Sequence, residues 1–322
     1  MFKAKIVALT LMAIVSTAHA TESIDSKPFN VGTGGPTGNY KGMGDDIQTY
    51  CGGADVMGDK EFITAITSGS VENLMGIGSK LFSAAVTQED VLQYFGKTQP
   101  RKYNPNNLKI ITPLHLESGH LLVPKNYKPG SNDDGMWSKI ASWTGGGSEA
   151  PETVSIDMLK GQTIGSWGGS IVSGKAISYF LSLGLDVVEV PEAKRNDPQV
   201  PVLLVGGHPY APVQQLLDTG KYDLIPINFN ELQDKAPFYV ESKVNYIVDG
   251  KVKTVPTFGV RAVFVGKSFR KEERNTIMTN LAKCIDENLP DLADDPDTNP
   301  NWESVYLLNE SGEQTNWSYF NL

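Results

Sequence analysis

The stretch from Phe29 to Tyr50, FNVGTGGPTGNYKGMGDDIQTY, holds the residues best suited to chemistry in this chain. Gly32, Gly34, Gly35 and Gly38 crowd one short window. Glycine lets a backbone turn sharply and come close to another group. An extended start around Phe29 and Val31, and a helical run from Gly42 to Tyr50, place this turn between a strand and the N-terminus of a helix. Such an N-terminus presents unpaired N–H groups and the positive end of the helix dipole. The chemistry implied is capture of a carboxylate or phosphate by backbone amides, with Thr37, Asn39 and Tyr40 adding side-chain contacts. The bland reading is a tight strand-to-helix connection, and this stretch alone leaves both open.

Nucleotide sites fit less well. A dinucleotide fingerprint requires G-x-G-x-x-G and an acidic residue about 20 positions on. Here Thr37 stands at the last glycine position, and Asp55 and Asp59 fall in a loop-like run. A Walker loop requires a closing Gly-Lys-Ser/Thr, which is absent. Catalytic signatures are absent too: there is no G-x-S-x-G, H-E-x-x-H or C-x-x-C. His115 and His120 lie five apart, on opposite faces of an extended strand, so no metal site is expected. His208, in a Gly-Gly turn beside Pro209, is better placed to line a cleft. No cofactor is expected.

Two further turns repeat the first. Ser68-Gly69-Ser70 feeds a helix containing Asn73, with Ser70 as the expected N-cap and a candidate ligand contact. Ala84 to Thr87 reads as a buried strand that leaves Gln88 at its C-terminal end, the edge where open α/β sheets bind ligands. Further on, Gln162 to Gly165 reads as a strand and Ser166 to Ser170 as a small-residue turn. Ile171 to Leu183 follows as a helix with a stripe of Ile171, Ala176, Ile177, Phe180 and Leu181, ended by Gly184. Val187 to Val190, Val200 to Val205 and Tyr222 to Ile227 read as strands, with a helix from Pro212. Leu108 to Val123 is a long, mostly apolar strand region expected to cross between two lobes. Asp249-Gly250 marks a hairpin, Thr257 to Val265 an extended return, and Ser268 to Leu289 a helix. The tail carries Trp302, Tyr306, Trp317, Tyr319 and Phe320, expected to pack on the first lobe.

The chain of 322 residues carries a formal charge of −9. That balance argues against nucleic acid as a partner, because phosphate contacts need clustered Lys and Arg. Lys3 and Lys5, the apolar run from Ile6 to Val15 and Ala18-His19-Ala20 read as a signal peptide over residues 1–20. The mature chain then starts at Thr21, exported to a periplasmic space, with no lipid anchor and no membrane span. In that oxidising compartment Cys51 and Cys284 either pair or stay as buried thiols. Pairing is the expectation, since both sit at helix-like ends that could share one lobe. Such a bond would contribute about 4–5 kcal/mol by loop closure.

The segments VGTGGPTGNY, TSGSVENL, AAVTQEDV, MLKGQTIGSWGGS, VLLVGGHP and TVPTFGVRAVFV resemble, in order and spacing, the TAXI-type solute-binding proteins usually associated with tripartite ATP-independent periplasmic (TRAP) transporters. The resemblance spans Phe29 to Ile285. It implies a type II periplasmic-binding-protein fold: two α/β lobes joined by crossing strands, with a cleft between them. The expected division is lobe I at 21–116, lobe II at 117–255 with a surface insertion at about 128–153, and lobe I again at 256–322. The resemblance places Gly34, Gly35, Tyr40, Ser70, Asn73 and Gln88 in the cleft from lobe I. From lobe II it places Ser166, Gly169 and Ser170, with His208 and Pro209 nearby. Where the family often has a second tyrosine after the glycine turn, this chain has Lys41. In the lobe II turn it has Gly165-Ser166-Trp167-Gly168-Gly169-Ser170, so Trp167 would add a flat apolar wall.

The function implied is capture, without catalysis, of a small anionic organic acid or amino acid such as glutamate, glutamine or 2-oxoglutarate. The protein would act as a monomer delivering to the membrane permease subunits of a TRAP transporter. A sensor feeding a membrane kinase is one alternative. An exported enzyme on the same scaffold is the other, since fold does not fix function.

Overall fold

The computed structural model describes residues 28–125, 127, 153–312 and 315–320. The segment read as a signal peptide lies outside the described residues, as does the expected insertion apart from its last residue.

The chain forms a mixed α/β fold built on ten strands. β1 (Phe29–Gly32), β2 (Phe62–Ala65) and β3 (Ala84–Gln88) are parallel, alternating with α1 (Asn39–Cys51), α3 (Ser70–Gly78) and α4 (Glu89–Thr98). A short α2 (Ala54–Met57) follows α1. β5 (Thr163–Ser166), α5 (Ser170–Leu181) and β6 (Asp186–Glu189) repeat the pattern in the second half. β7 (Val202–Gly207), α6 (Ala211–Asp218) and β8 (Tyr222–Ile225) then follow. The parallel strands here are short; β1, β3, β5 and β7 are mostly buried, as expected where helices cover both sheet faces, while the end strands β2 and β6 are more open.

Two strands of 17 residues join the halves: β4 (Leu108–Pro124) and β10 (Lys251–Lys267). β4 pairs with β10 from Leu108 to Ser118, and with β7 from Glu117 to Leu122. β10 pairs with β9 (Tyr239–Val248) up to Val260, and with β3 from Ala262. Each strand thus starts in one lobe and ends in the other. The switch falls at Glu117–Ser118 on β4 and near Val260–Ala262 on β10. The sheet order is β2-β1-β3-β10-β4-β7-β5-β6. This is the two-lobed α/β arrangement with crossing strands that the sequence leads one to expect.

Apolar clusters flank the sheet in both halves. In lobe I, Met43, Ile47, Phe264 and Leu281 pack on one side, and Leu74, Leu92, Phe95 and Val263 on the other. In lobe II, Ile164, Ile177, Leu203 and Phe258 form one cluster, and Leu122, Val213, Leu216 and Tyr246 another. The later helices are α7 (Asn230–Gln233), α8 (Thr276–Glu287), α9 (Leu289–Asp294) and α10 (Asn301–Glu310), and the aromatic tail docks on lobe I through α10 and the residues beyond it. Trp302 is fully buried and donates from Nε1 to Asp46 at 2.8 Å, while Trp317 donates to the Leu108 carbonyl at 2.9 Å. Cys51 at the end of α1 is disulfide-bonded to Cys284, with Cα atoms 5.9 Å apart. Cys284 lies on α8 (Thr276–Glu287).

Several local expectations are corrected. The first helix starts at Asn39, not Gly42, so Asn39 and Tyr40 are its first-turn residues. Ser70 is not a cap: Gly69, with φ 101°, holds that position, and the Ser70 hydroxyl accepts from the Gln88 N–H at 3.1 Å. The helix expected to run to Leu183 stops at Leu181, where Ser182 takes a left-handed conformation, ahead of Gly184. β7 runs on through Gly206 and Gly207 because Glu117 and Ser118 of β4 pair with them. Phe269 is not on a helix. The Asn275 side chain bonds both the N–H and the C=O of Phe269, so a regular helix starts only at Thr276. The DG hairpin is present, with Asp249 and Gly250 both at positive φ.

Candidate functional site

Between the lobes lies a cavity of about 520 Å³, within the range of small-molecule sites. Its walls are the N-termini of helices. From lobe I, Gly38, Asn39 and Tyr40 begin α1, and Ser68, Gly69 and Ser70 begin α3. From lobe II, Gly168, Gly169 and Ser170 begin α5, and Tyr210, Ala211 and Pro212 begin α6. Gln88, the residue before α4, also lines it. The first N–H groups of a helix have no partner within the helix and carry its positive dipole end. Four helix N-termini around one volume, on helices of eight to thirteen residues, make it receptive to an anion; α6 adds chiefly its dipole, since Pro212 has no N–H and the Tyr210 N–H donates to the Tyr246 hydroxyl.

The sequence explains why so many helices start here. Strands β1, β2 and β5 run into short glycine- and serine-rich turns at their C-terminal ends, β7 itself ends in Gly206-Gly207, and β3 passes straight into α4 at Gln88. Small residues let helix ends approach one another. Gly69 and Gly168, with φ 101° and 57°, occupy backbone that side chains rarely adopt.

A chain of hydroxyl and amide groups fixes the floor. The Tyr40 hydroxyl lies 3.3 Å from Ser70 Oγ, which meets Gln88 Oε1 at 3.4 Å. Ser173 of α5 donates to the same Oε1 at 3.2 Å, linking the two lobes through Gln88. The Ser170 hydroxyl donates to the Val205 carbonyl at 3.1 Å and accepts from the Val205 N–H at 2.9 Å, fixing α5 against β7. A second link between the lobes lies deeper. The Tyr239 hydroxyl donates to Asp90 Oδ2 at 3.2 Å, and the Val91 N–H donates to Asp90 Oδ1 at 2.7 Å.

Glu117 projects into this site from the point where β4 changes lobes, and it is 8% exposed. Its Oε1 lies 3.7 Å from His115 Nε2, with His115 also buried. Burial, and then the charge of Glu117, hold the Tyr40 phenol well above its usual range. The Tyr210 phenol is raised by the same two causes in the same order. On the other face of β4, burial pushes His120 down to about 3, so the imidazole that meets the Tyr246 hydroxyl at 2.8 Å is neutral.

The structure brings together ten of the expected site residues: Gly34, Gly35, Thr37, Asn39, Tyr40, Ser70, Gln88, Trp167, Gly169 and Ser170 all line the cavity. Three others stand off it. Asn73 is fully buried; it donates to the Thr33 and Val86 carbonyls and accepts from the Thr67 hydroxyl, tying α3 to two strands. The Ser166 hydroxyl donates to the Leu203 carbonyl within lobe II. His208 accepts the Asn245 N–H at 3.1 Å and packs on Tyr246, while its neighbour Pro209 reaches the cavity. Sequence reading passed over Glu117 and Tyr210. A carboxylate inside the mostly apolar run of a crossing strand is the signal that marks Glu117; nothing local marks Tyr210.

No helix among the described residues is long and apolar enough to cross a membrane. No group of three or more His, Cys, Asp or Glu among them could hold a metal ion.

A family model described as "NMT1-like family" matches residues 31–304. No curated protein matches the chain. Solved structures similar to it include YhfZ from Shigella flexneri, at 11% identity and TM-score 0.45, covering 91% of this chain and 94% of that one. Another is the GluR0 ligand-binding core from Nostoc punctiforme in complex with L-glutamate, at 16% identity and TM-score 0.41, covering 87% and 97%. A third is MatC from Rhodopseudomonas palustris with bound malate, at 13% identity and TM-score 0.43, covering 87% and 88%. The likenesses are remote, and the glutamate and malate belong to those proteins.

Proposed function

The chain belongs to the NMT1-like family, and from that premise we propose that it is an extracytoplasmic receptor for a small carboxylate-bearing solute. The observation that carries this reading is the convergence of four helix N-termini on one cavity between two lobes. Amide N–H groups hold the carboxylate from lobe I, and the Gly168–Ser170 turn of lobe II closes over it. Closure excludes water and strengthens these charge-assisted hydrogen bonds. Among the described residues no lysine or arginine lines the cavity, so the anion is recognised by backbone and hydroxyl groups and not by a guanidinium fork.

Catalysis is not part of this reading. The Ser70 and Ser170 hydroxyls are bonded to Gln88 and to backbone groups of β7, not to a general base. Export through the leader at 1–20, action as a monomer and delivery to the permease subunits of a TRAP-type transporter complete the proposal.

The test is a thermal-shift screen of protein stripped of ligand by unfolding and refolding. The panel holds amino acids, 2-oxo acids, C4 dicarboxylates, sugars and phosphates. A carboxylate at about 100 times its dissociation constant adds about 2.7 kcal/mol, which raises the midpoint by several degrees at this size. A shift from sugars or phosphates alone would contradict the reading.

A further inference from the structure

Resting on the carboxylate-receptor reading, we propose that Glu117 is the second recognition group of the cleft. It pairs with an ammonium on the same solute, and so selects a zwitterion of the amino-acid type over a dicarboxylate or a 2-oxo acid.

The argument starts from where the charge lies. Glu117 is the one carboxylate lining the cavity among the described residues, and no lysine, arginine or histidine lines it. Burying a carboxylate costs several kcal/mol unless a partner offsets its lost hydration, and Glu117 is 8% exposed. The basic groups around it do not supply that partner. His115 Nε2 approaches Oε1 only to 3.7 Å, beyond hydrogen-bond length. Arg261 pairs with Leu116 on the crossing strands, one residue out of step with Glu117 and Val260. It therefore faces the other side of the sheet, where its charge acts on Glu89. Tyr40 lines the cavity beside it, and a neutral hydroxyl brings no opposite charge. A cation delivered by the ligand compensates it.

The surroundings suit an ammonium. Tyr40 and Tyr210 line the same cavity as Glu117. Aromatic faces attract cations, and a buried carboxylate gives an N⁺–H donor a short, strong bond. The helix N-termini repel a cation and attract a carboxylate. The cavity therefore has two ends of opposite preference: amides at the helix starts, and one carboxylate at the strand crossing. A dicarboxylate or 2-oxo acid satisfies the first and is repelled by the second. A molecule carrying both –COO⁻ and –NH₃⁺ satisfies both.

The experiment is titration calorimetry on the refolded, ligand-free protein. It uses a panel of amino acids and, for each, the 2-oxo acid of the same carbon skeleton. The expected result is that the tightest binder is an amino acid and that its 2-oxo acid binds roughly ten- to a hundredfold more weakly, the factor for a hydrogen bond to a charged group. Glu117→Gln should collapse that ratio to within about threefold. A 2-oxo acid binding as tightly as its amino acid overturns the proposal while leaving the receptor reading in place. So does an unchanged ratio in the variant. If no carboxylate of either kind binds, both fall. Should Glu117→Gln fail to fold, the wild-type ratio decides alone.

Discussion

At the residue scale, what could be read from the sequence divides by the kind of signal each residue leaves. Gly34, Gly35, Thr37, Asn39 and Tyr40 stand in one local turn, and local turns are legible. Asn73 lies in an equally suggestive stretch, but its amide is spent on three backbone and hydroxyl partners: Thr33 just after β1, Val86 of β3 and Thr67 in the turn that leads into α3. No spacing rule shows whether a buried amide faces a ligand or a neighbouring carbonyl. Asp90 was passed over for the same reason, because its partner Tyr239 lies 149 residues away. Burial pushes the Asp90 carboxyl from an ordinary 3.8 up to about 7. The folded chain therefore keeps a proton that the unfolded chain releases between about pH 4 and 7. Stability from this group is complete below about pH 4 and is lost as pH rises to about 7. Glu89, also raised to about 7 by burial, acts in the same direction. Asp90→Asn should flatten this decline, so that the variant gains on wild type in thermal midpoint between pH 5 and 7.5. Parallel curves for the two proteins would remove Asp90 from the account.

At the element scale, strands and helices were legible wherever apolar spacing and a glycine turn agreed. β4 is the clearest case, since an apolar run too long for an ordinary strand had to cross between lobes. Boundaries were lost where a side chain overrode the pattern. Asn275 holds Phe269 in a loop, and Gly69 takes the cap position that Ser70 was expected to fill. The disulfide joins elements that the sequence separates by 233 residues, tying the end of α1 to α8 within lobe I. By loop-closure entropy it contributes about 4–5 kcal/mol. Replacing both cysteines by alanine should lower the thermal midpoint by roughly 10 °C. A fall of under about 2 °C would mean that the unfolded chain is already restricted or that packing replaces the bond.

At the scale of the whole molecule, the two crossing strands organise everything else. They set the lobes on either side of one volume, carry Glu117 into it, and leave the helix N-termini of both halves facing each other. The two-lobed design was legible because the strand, glycine turn and helix pattern recurs after Leu159. The way the cavity combines amide donors with a carboxylate was not, because it depends on which strands lie side by side. The most direct test of the central claim is a crystal structure of the protein with the tightest solute from the screen. The account predicts that solute between the lobes, its carboxylate on the amides that start α1 and α3 and its opposite end toward Glu117. A solute bound outside this cleft, or one that turns no carboxylate toward those amides, would contradict it.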